Sequence, residues 1–319
     1  VVALGALFAS AAQASLIKIG SVLPEKYEAI EFKRVQTFFN TALPEPGAVL
    51  SSPVNGAIVS WQEQGASGGP FYLRVLHPNG KGGYEAAGTS LGASPLDESL
   101  HQFTTNLKVK AGDLIGIDPT NATDKIGIAE ASGASFGAIF PTPLEGSIVP
   151  PSESISGKEI ELAAEIQPAP EITAVTPPFG SIAGGTTVTI SGSGFTKASE
   201  VKFGSTLAGF TVDSDTEITA TVPSSASPGS VDVLVTTFAG TNPNTRFDDY
   251  LYIACVVPKI KNRTLKAAKT LLRQRGCKLG HVKKVDAPKR KKIGKVLKQQ
   301  PQPGKILPPG ARVRIQLGK

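Results

Sequence analysis

The sequence predicts a mainly β, multidomain protein: two antiparallel β-sandwiches in series, then a small α+β module. Three observations predict it. Gly (34) and Pro (25) make up nearly a fifth of the 319 residues, a density of turn formers that suits short strands joined by tight turns. Apolar residues are 40% and charged residues 18%, the balance of a folded chain. The charge is also segregated. Residues 255–319 hold 20 of the 33 Lys and Arg and one acid, Asp286, a net of +19 that leaves −12 on the other 254 residues. Such asymmetry points to a polyanion or an anionic surface as the partner of the basic part. A basic segment that only keeps the protein soluble is the plain alternative.

The chain contains no Met and opens VVALGALFASAAQA, an apolar run closing on Ala12-Gln13-Ala14. That A-x-A pattern reads as the remnant of a secretory signal peptide over 1–14, with Ser15 first in the mature chain. An uncleaved anchor is the alternative. Fourteen residues are too few to span a bilayer, which takes about 20, and no other long apolar run follows. The expectation is an exported protein, extracellular or wall-associated, with no stable transmembrane segment.

The first predicted sandwich is 15–167. Strands are expected at Ala57–Gln62, Phe71–His77, Gln102–Val109, Leu114–Asp118 and Glu159–Ile166, within a total of about eight. In Phe71–His77 the alternation puts Phe71, Leu73 and Val75 on one side and Tyr72, Arg74 and Leu76 on the other. ASGGP, HPNGKGG and PTNATD are turn chemistry. The pattern GAIVSWQEQGASGGPFYLRVL…LKVKAGDLIGID resembles an N-terminal sandwich domain of secreted actinobacterial proteins, a domain without an established function.

Pro-rich QPAPE (167–171) reads as a linker, and Thr, Ser, Gly and Val dominate after it. The second sandwich is 168–254. Gly184-Gly185 makes a turn, and Val188 and Ile190 alternate inward in TTVTI. EVKFG, TEITATVP and SVDVLVTT repeat the period of two. Seven or so short strands in this length suit an immunoglobulin-like sandwich. The opening P-x-I-x-x-V-x-P-x-x-G, with AGGTTVTISGSGF and DTEITATVP, resembles an IPT/TIG domain. That resemblance implies a spacer or adhesion module on an exported bacterial protein, with no shared catalytic site.

The last module, 255–319, begins with a short strand. Thr264 can cap a helix from Leu265 to about Arg275, whose apolar stripe is Leu265, Ala268, Leu271 and Leu272. Gly276 stands where a glycine ends a helix. Strands follow at Gly280–Val285, Lys295–Gln300 and Ala311–Leu317. In the last, Val313, Ile315 and Leu317 point one way and Arg312, Arg314 and Gln316 the other. Cys255 and Cys277 are the only cysteines; in an exported chain they are expected to form a disulfide, and two thiols alone make a poor metal site. Val257-Pro258 with Ile260, Ala268 and Leu272, then Gly294-x-Val296-x-x-Gln299-x-Pro301-x-Pro303-Gly304, Leu307, Gly310, Val313 and Ile315, resemble a PASTA domain. The resemblance implies binding to uncrosslinked peptidoglycan fragments. Asn262 stands where the family commonly has glycine, and the module is single and unusually basic. Neither kinase nor transpeptidase sequence accompanies it.

The predicted site is cationic. Lys289, Arg290, Lys291, Lys292 and Lys295 are placed in a hairpin loop, with Lys283, Lys284 and Lys298 flanking it on strands and Arg312 and Arg314 on an outward strand face. Together they would form one surface for peptidoglycan fragments or an anionic wall polymer, Arg clasping carboxylate or phosphate bidentately and Lys acting as a point charge. Nucleic acid is not expected: 255–319 has no Phe, Tyr or Trp to stack on bases.

Elsewhere the candidates are weaker. His77, His101 and His281 lack metal-ligand spacing, and His77 precedes a turn that suits a surface position. Asp118, Asn121 and Asp124 offer oxygens but not the EF-hand order, so an ordinary Asx-turn loop is the expectation. Asp97-Glu98 and Asp248-Asp249 are adjacent pairs that would point apart. Trp61 is expected in the core, with an exposed sugar platform as the alternative. No cofactor, metal or catalytic residue is predicted. The expected function is a secreted, non-enzymatic wall-binding protein, with a possible protein partner through the sandwiches. A carbohydrate-active enzyme in 15–167 and an adhesin are the alternatives.

Overall fold

The computed structural model describes residues 15–319; the expected signal remnant, 1–14, lies outside the described residues. The chain divides into two compact units, 15–170 with Thr237–Thr241, and Glu171–Thr236 with Asn242–Lys319.

The first unit carries twelve strands: β1 Ile17–Gly20, β2 Glu28–Glu31, β3 Thr37–Ala42, β4 Gly56–Glu63, β5 Tyr72–Pro78, β6 Tyr84–Thr89, β7 His101–Val109, β8 Leu114–Asp118, β9 Lys125–Ile139, β10 Ile148–Val149, β11 Glu153–Ile160 and β12 Leu162–Pro168. One sheet runs β1-β12-β4-β7 and the other β10-β6-β5-β8-β3-β9-β11, with β2 beside β9. Ile58, Trp61, Phe38, Leu73, Val75, Ile117 and Phe136 share the core. The alternation of β5 holds: Phe71, Leu73 and Val75 enter that core, while Leu76 joins a second cluster with Phe39, Leu114 and Ile139. Arg74 sits on the Leu76 side and is paired with Asp118, Nε to Oδ2 2.9 Å.

Two expectations change here. Twelve strands replace about eight: β1, β2 and β10 are only two to four residues long, and β9 is too rich in small residues to show a period of two. Its Gly127 is required by packing, since a Cβ there would lie 1.7 Å from the Gln64 carbonyl oxygen. The expected strand Glu159–Ile166 is two strands in different sheets, β11 and β12, with Glu161 at the crossing. Asn40 holds the crossing by bonding the Ile160 backbone both ways, at 2.8 and 2.9 Å.

The next ten strands are β13 Glu171–Thr176, β14 Phe179–Ser181, β15 Thr187–Ser193, β16 Glu200–Phe203, β17 Thr206–Leu207, β18 Gly209–Ser214, β19 Glu217–Thr221, β20 Gly229–Thr237, β21 Gly240–Thr241 and β22 Asp249–Ile253. They pair as β13-β15-β19-β18 and β14-β22-β20-β16-β17. Val188 and Ile190 face inward as expected, against Ile218, Val233, Val235 and Tyr250. The result is an immunoglobulin-like sandwich.

The remaining elements are β23 Cys255–Val256, α1 Leu265–Gln274, β24 Lys278–Val285, a 3-10 turn at Arg290–Lys292, β25 Val296–Gln300, β26 Ile306–Leu307 and β27 Arg312–Gly318. Thr264 Oγ1 accepts from Ala267 N at 3.2 Å and starts α1. Gly276, at φ +69°, ends it where a Cβ would lie 2.3 Å from the Ala254 carbonyl oxygen. Ala268 and Leu272 pack on Val296, Val313, Ile315 and Leu317. Cys255 and Cys277 form the expected disulfide, their Cα atoms 4.6 Å apart.

The hairpin expected around Lys289–Lys292 is not formed. The sheet order is β24-β27-β25, so β27 lies between the two strands that a hairpin would join. The basic turn belongs to a connection that passes the end of β27, tied there by Gly294 N to Gly318 O at 2.9 Å.

Candidate anion-binding site

The register of the three-stranded sheet decides which cations meet. On β27, Val313, Ile315 and Leu317 are buried under α1, and Arg312 and Arg314 are exposed on the opposite face with Gln316. Lys283 on β24 and Lys298 on β25 both stand opposite Gln316, one from each side. With strands about 4.8 Å apart, their backbones are about 10 Å from each other. Gln300 stands opposite Arg314, and Lys278 opposite Arg312. Along β27 the two arginines are about 7 Å apart.

Lys283, Lys298 and Arg314 line a shallow concavity of about 260 Å³ together with His281, Gln300 and Gln316. Among the described residues, no acid pairs with Lys283, Lys298, Arg312 or Arg314. The one acidic side chain of the module, Asp286, lies 3.4 Å from Lys319, Oδ1 to Nζ. The face is therefore rich in donors, poor in ionic acceptors and open to solvent.

The other predicted cations lie elsewhere. Lys284 stands opposite Leu317, so it projects to the side away from Lys283. Lys289, Arg290 and Lys291 are exposed on the 3-10 turn and its lead-in. Lys292 Nζ donates to Asn262 Oδ1, and the Lys295 backbone bridges to Thr264 at the start of α1. The expected single surface thus resolves into a sheet face with Lys283, Lys298, Arg312 and Arg314, and a separate basic turn. His281, Gln300 and Gln316 were not foreseen. Gln316 shares the alternation that marked Arg312 and Arg314, but the other two needed the pairing.

The first sandwich offers buried acids instead. Glu63, Glu159 and Glu161 are all at most 1% exposed. Burial pushes Glu161 up to about 8, helped by the charges of Glu159 and Glu45. Glu63 is raised to about 8, mainly by burial, against the Ala66 N–H that it accepts. Glu159 is raised to about 7 by burial despite the Ser21 hydroxyl, which donates at 2.7 Å. Among the described residues no three acids, His or Cys are grouped to hold a metal.

A shallow depression of about 340 Å³ is lined by Lys26, Tyr27, Glu28, Ile128, Glu130 and Lys158. Glu130 there is 85% exposed and 3.8 Å from Lys158, whereas a glycosidase acid is shielded and raised. Trp61 is 1% exposed, in the core. His77 is partly exposed beside Asp113. Asp118 is engaged by Arg74, and Asp124 accepts from Gly69, Thr120 and Asn121 backbone N–H groups at 2.8–3.0 Å, closing its loop on itself. Asp248 is buried and Asp249 exposed, so that pair does point apart.

Residues 170–248 match the IPT/TIG domain family and residues 256–319 match the PASTA domain family. No curated protein matches the chain. Among solved structures, gamma-CGTase from Alkalophilic bacillus clarkii is 21% identical over 40% of this chain and 24% of that one, with a TM-score of 0.24. The Plexin A4 extracellular region, domains 1 to 8, is 13% identical over 71% of this chain and 34% of that one, with a TM-score of 0.25. The chain thus spans about a quarter to a third of these structures, and likeness at such scores bears on neither activity nor partner.

Proposed function

We propose that this chain, which carries an IPT/TIG domain followed by a PASTA domain, is an exported wall-associated binding protein. Its C-terminal module docks on peptidoglycan or on an anionic polymer linked to it. The IPT/TIG sandwich is spacer and interaction module, and the first sandwich engages a ligand or protein partner. The observation that carries this reading is the donor-rich face of β24, β27 and β25, left without acids in a segment of net charge +19. Each exposed ion pair contributes only ~0.2–1 kcal/mol, so retention requires several at once and weakens with salt. The disulfide agrees with an oxidising compartment, and among the described residues no helix is long and apolar enough to cross a membrane. IPT/TIG and PASTA domains are non-catalytic modules.

The test is retention of the full chain by purified bacterial cell walls. Binding at low salt and release on raising the salt are expected. No retention at low salt defeats the proposal.

A further inference from the structure

We propose that the helix-free face of β24, β27 and β25 recognises phosphodiester groups, so that the wall component it reads is a polymer with phosphate in its repeat. The inference rests on the reading that this module docks on the wall, and it says which chemistry is read there.

Three features of the face favour phosphate over the sugars and stem peptides of peptidoglycan. The first is the lack of any aromatic residue in 255–319. A sugar ring is held by stacking its apolar C–H face on an aromatic ring, the usual platform in a ligand site, and none exists here. The second is the balance of donors and acceptors. Lys283, Lys298 and Arg314 present charged donors around the concavity, with His281, Gln300 and Gln316 beside them. No acidic side chain lines the concavity; Asp286 lies beyond the end of β24, 3.4 Å from Lys319 Nζ. A stem peptide brings amines as well as carboxylates, and its amines would find no carboxylate here, only the neutral acceptors of Gln300 and Gln316 among the cations. A phosphodiester is acceptor-only and repeats its charge without a counter-charge, which matches charged donors in number and sign.

The third is arrangement. Arg312 and Arg314 follow each other on one side of β27, about 7 Å apart, and Lys278 stands opposite Arg312. Lys283 and Lys298 flank the far end at Gln316. The cations therefore run the length of the strand as a track. A track suits a chain with a charge in every repeat better than a single terminal carboxylate. Arg adds selectivity, because its planar fork meets two phosphate oxygens at once.

The experiment uses the full chain and two wall preparations from one Gram-positive bacterium, one intact and one stripped of phosphodiester polymers by cold hydrofluoric acid, which leaves the peptidoglycan. Retention is expected to fall at least ten-fold on stripped walls, and soluble poly(glycerol phosphate) is expected to displace the protein from intact ones. The double variant Lys283→Glu/Arg314→Glu should lose at least ten-fold on intact walls. Lys266→Glu/Lys269→Glu, the same charge change on the exposed side of α1, should stay within about three-fold. Equal retention on both walls overturns the inference while leaving wall docking intact, with peptidoglycan as the component read. Equal losses in the two double variants overturn it as well, because net charge rather than this face would then be responsible. No retention on either wall removes the docking reading itself.

Discussion

The side-chain amide of Gln299 closes on the backbone around Ile260. Ile260 N donates to Gln299 Oε1 at 2.9 Å, and Gln299 Nε2 donates to Pro258 O at 2.9 Å. Ile260 is fully buried, so its N–H has no water to turn to. Gln299→Ala should cost ~1–3 kcal/mol, the penalty for an orphaned buried donor. In a module of this size that is a fall of roughly 4–24 °C in its melting transition, readable by calorimetry of the full chain.

The buried acids of the first sandwich reverse the usual pH response. Glu63 and Glu161 are raised from 4.5 to about 8, and Glu159 to about 7. Between pH 4.5 and the folded value, the native state holds protons that the unfolded chain has lost, so stability falls as pH rises through that window. It is fully present below the unfolded value and gone above about 8. The first sandwich should melt at a higher temperature at pH 5 than at pH 8.5. Glu161→Gln, which imitates the protonated form, should narrow that gap by stabilising the alkaline side. A melting point that rises from pH 5 to 8.5 would refute this.

Asn262 occupies a left-handed backbone position, φ +67°, which accounts for the residue found where the PASTA family commonly has glycine. Asn is among the few side chains that tolerate this region. Asn262→Gly should change stability by less than about 0.5 kcal/mol, whereas Asn262→Val should cost about 1–2 kcal/mol. Urea denaturation of the two variants separates these outcomes.

The disulfide joins β23 to the residue before β24 across 22 positions. Replacing both cysteines by Ser should lower the stability of the C-terminal module by roughly 3 kcal/mol on the loop-entropy account. The melting of the first sandwich, which contains no cysteine, should stay unchanged. A reducing agent should reproduce the double variant.

Much of the local structure was legible in the sequence. Thr264 and Gly276 bracket α1 because a cap and a left-handed stop are written in single residues. Val188 and Ile190, or Val313 and Ile315, reveal their inward faces because strand alternation repeats every two residues. Where small residues replaced that pattern, as around Gly127 in β9, the strand passed unseen. Where alternation runs on past a crossing, as at Glu161, two strands read as one in the sequence. The burial of Glu63, Glu159 and Glu161 was invisible for the same reason: a carboxylate in a strand reads as a solvent-facing residue unless its neighbours across the sheet are known.

The sequence alone determined that the chain is β-rich, that its positive charge is gathered in the last 65 residues, and that Arg312 and Arg314 share a side of one strand. Only the tertiary structure decided which lysines join them. A shift in register between Leu279 and Val282 sets the phase of β24, so Lys283 turns to the arginines and Lys284 away. The insertion of β27 between β24 and β25 brings Lys298 to the same face and carries the basic turn past the strand end. Alternation is a property of neighbouring residues, but its phase and the identity of the adjacent strand come from pairing between distant segments.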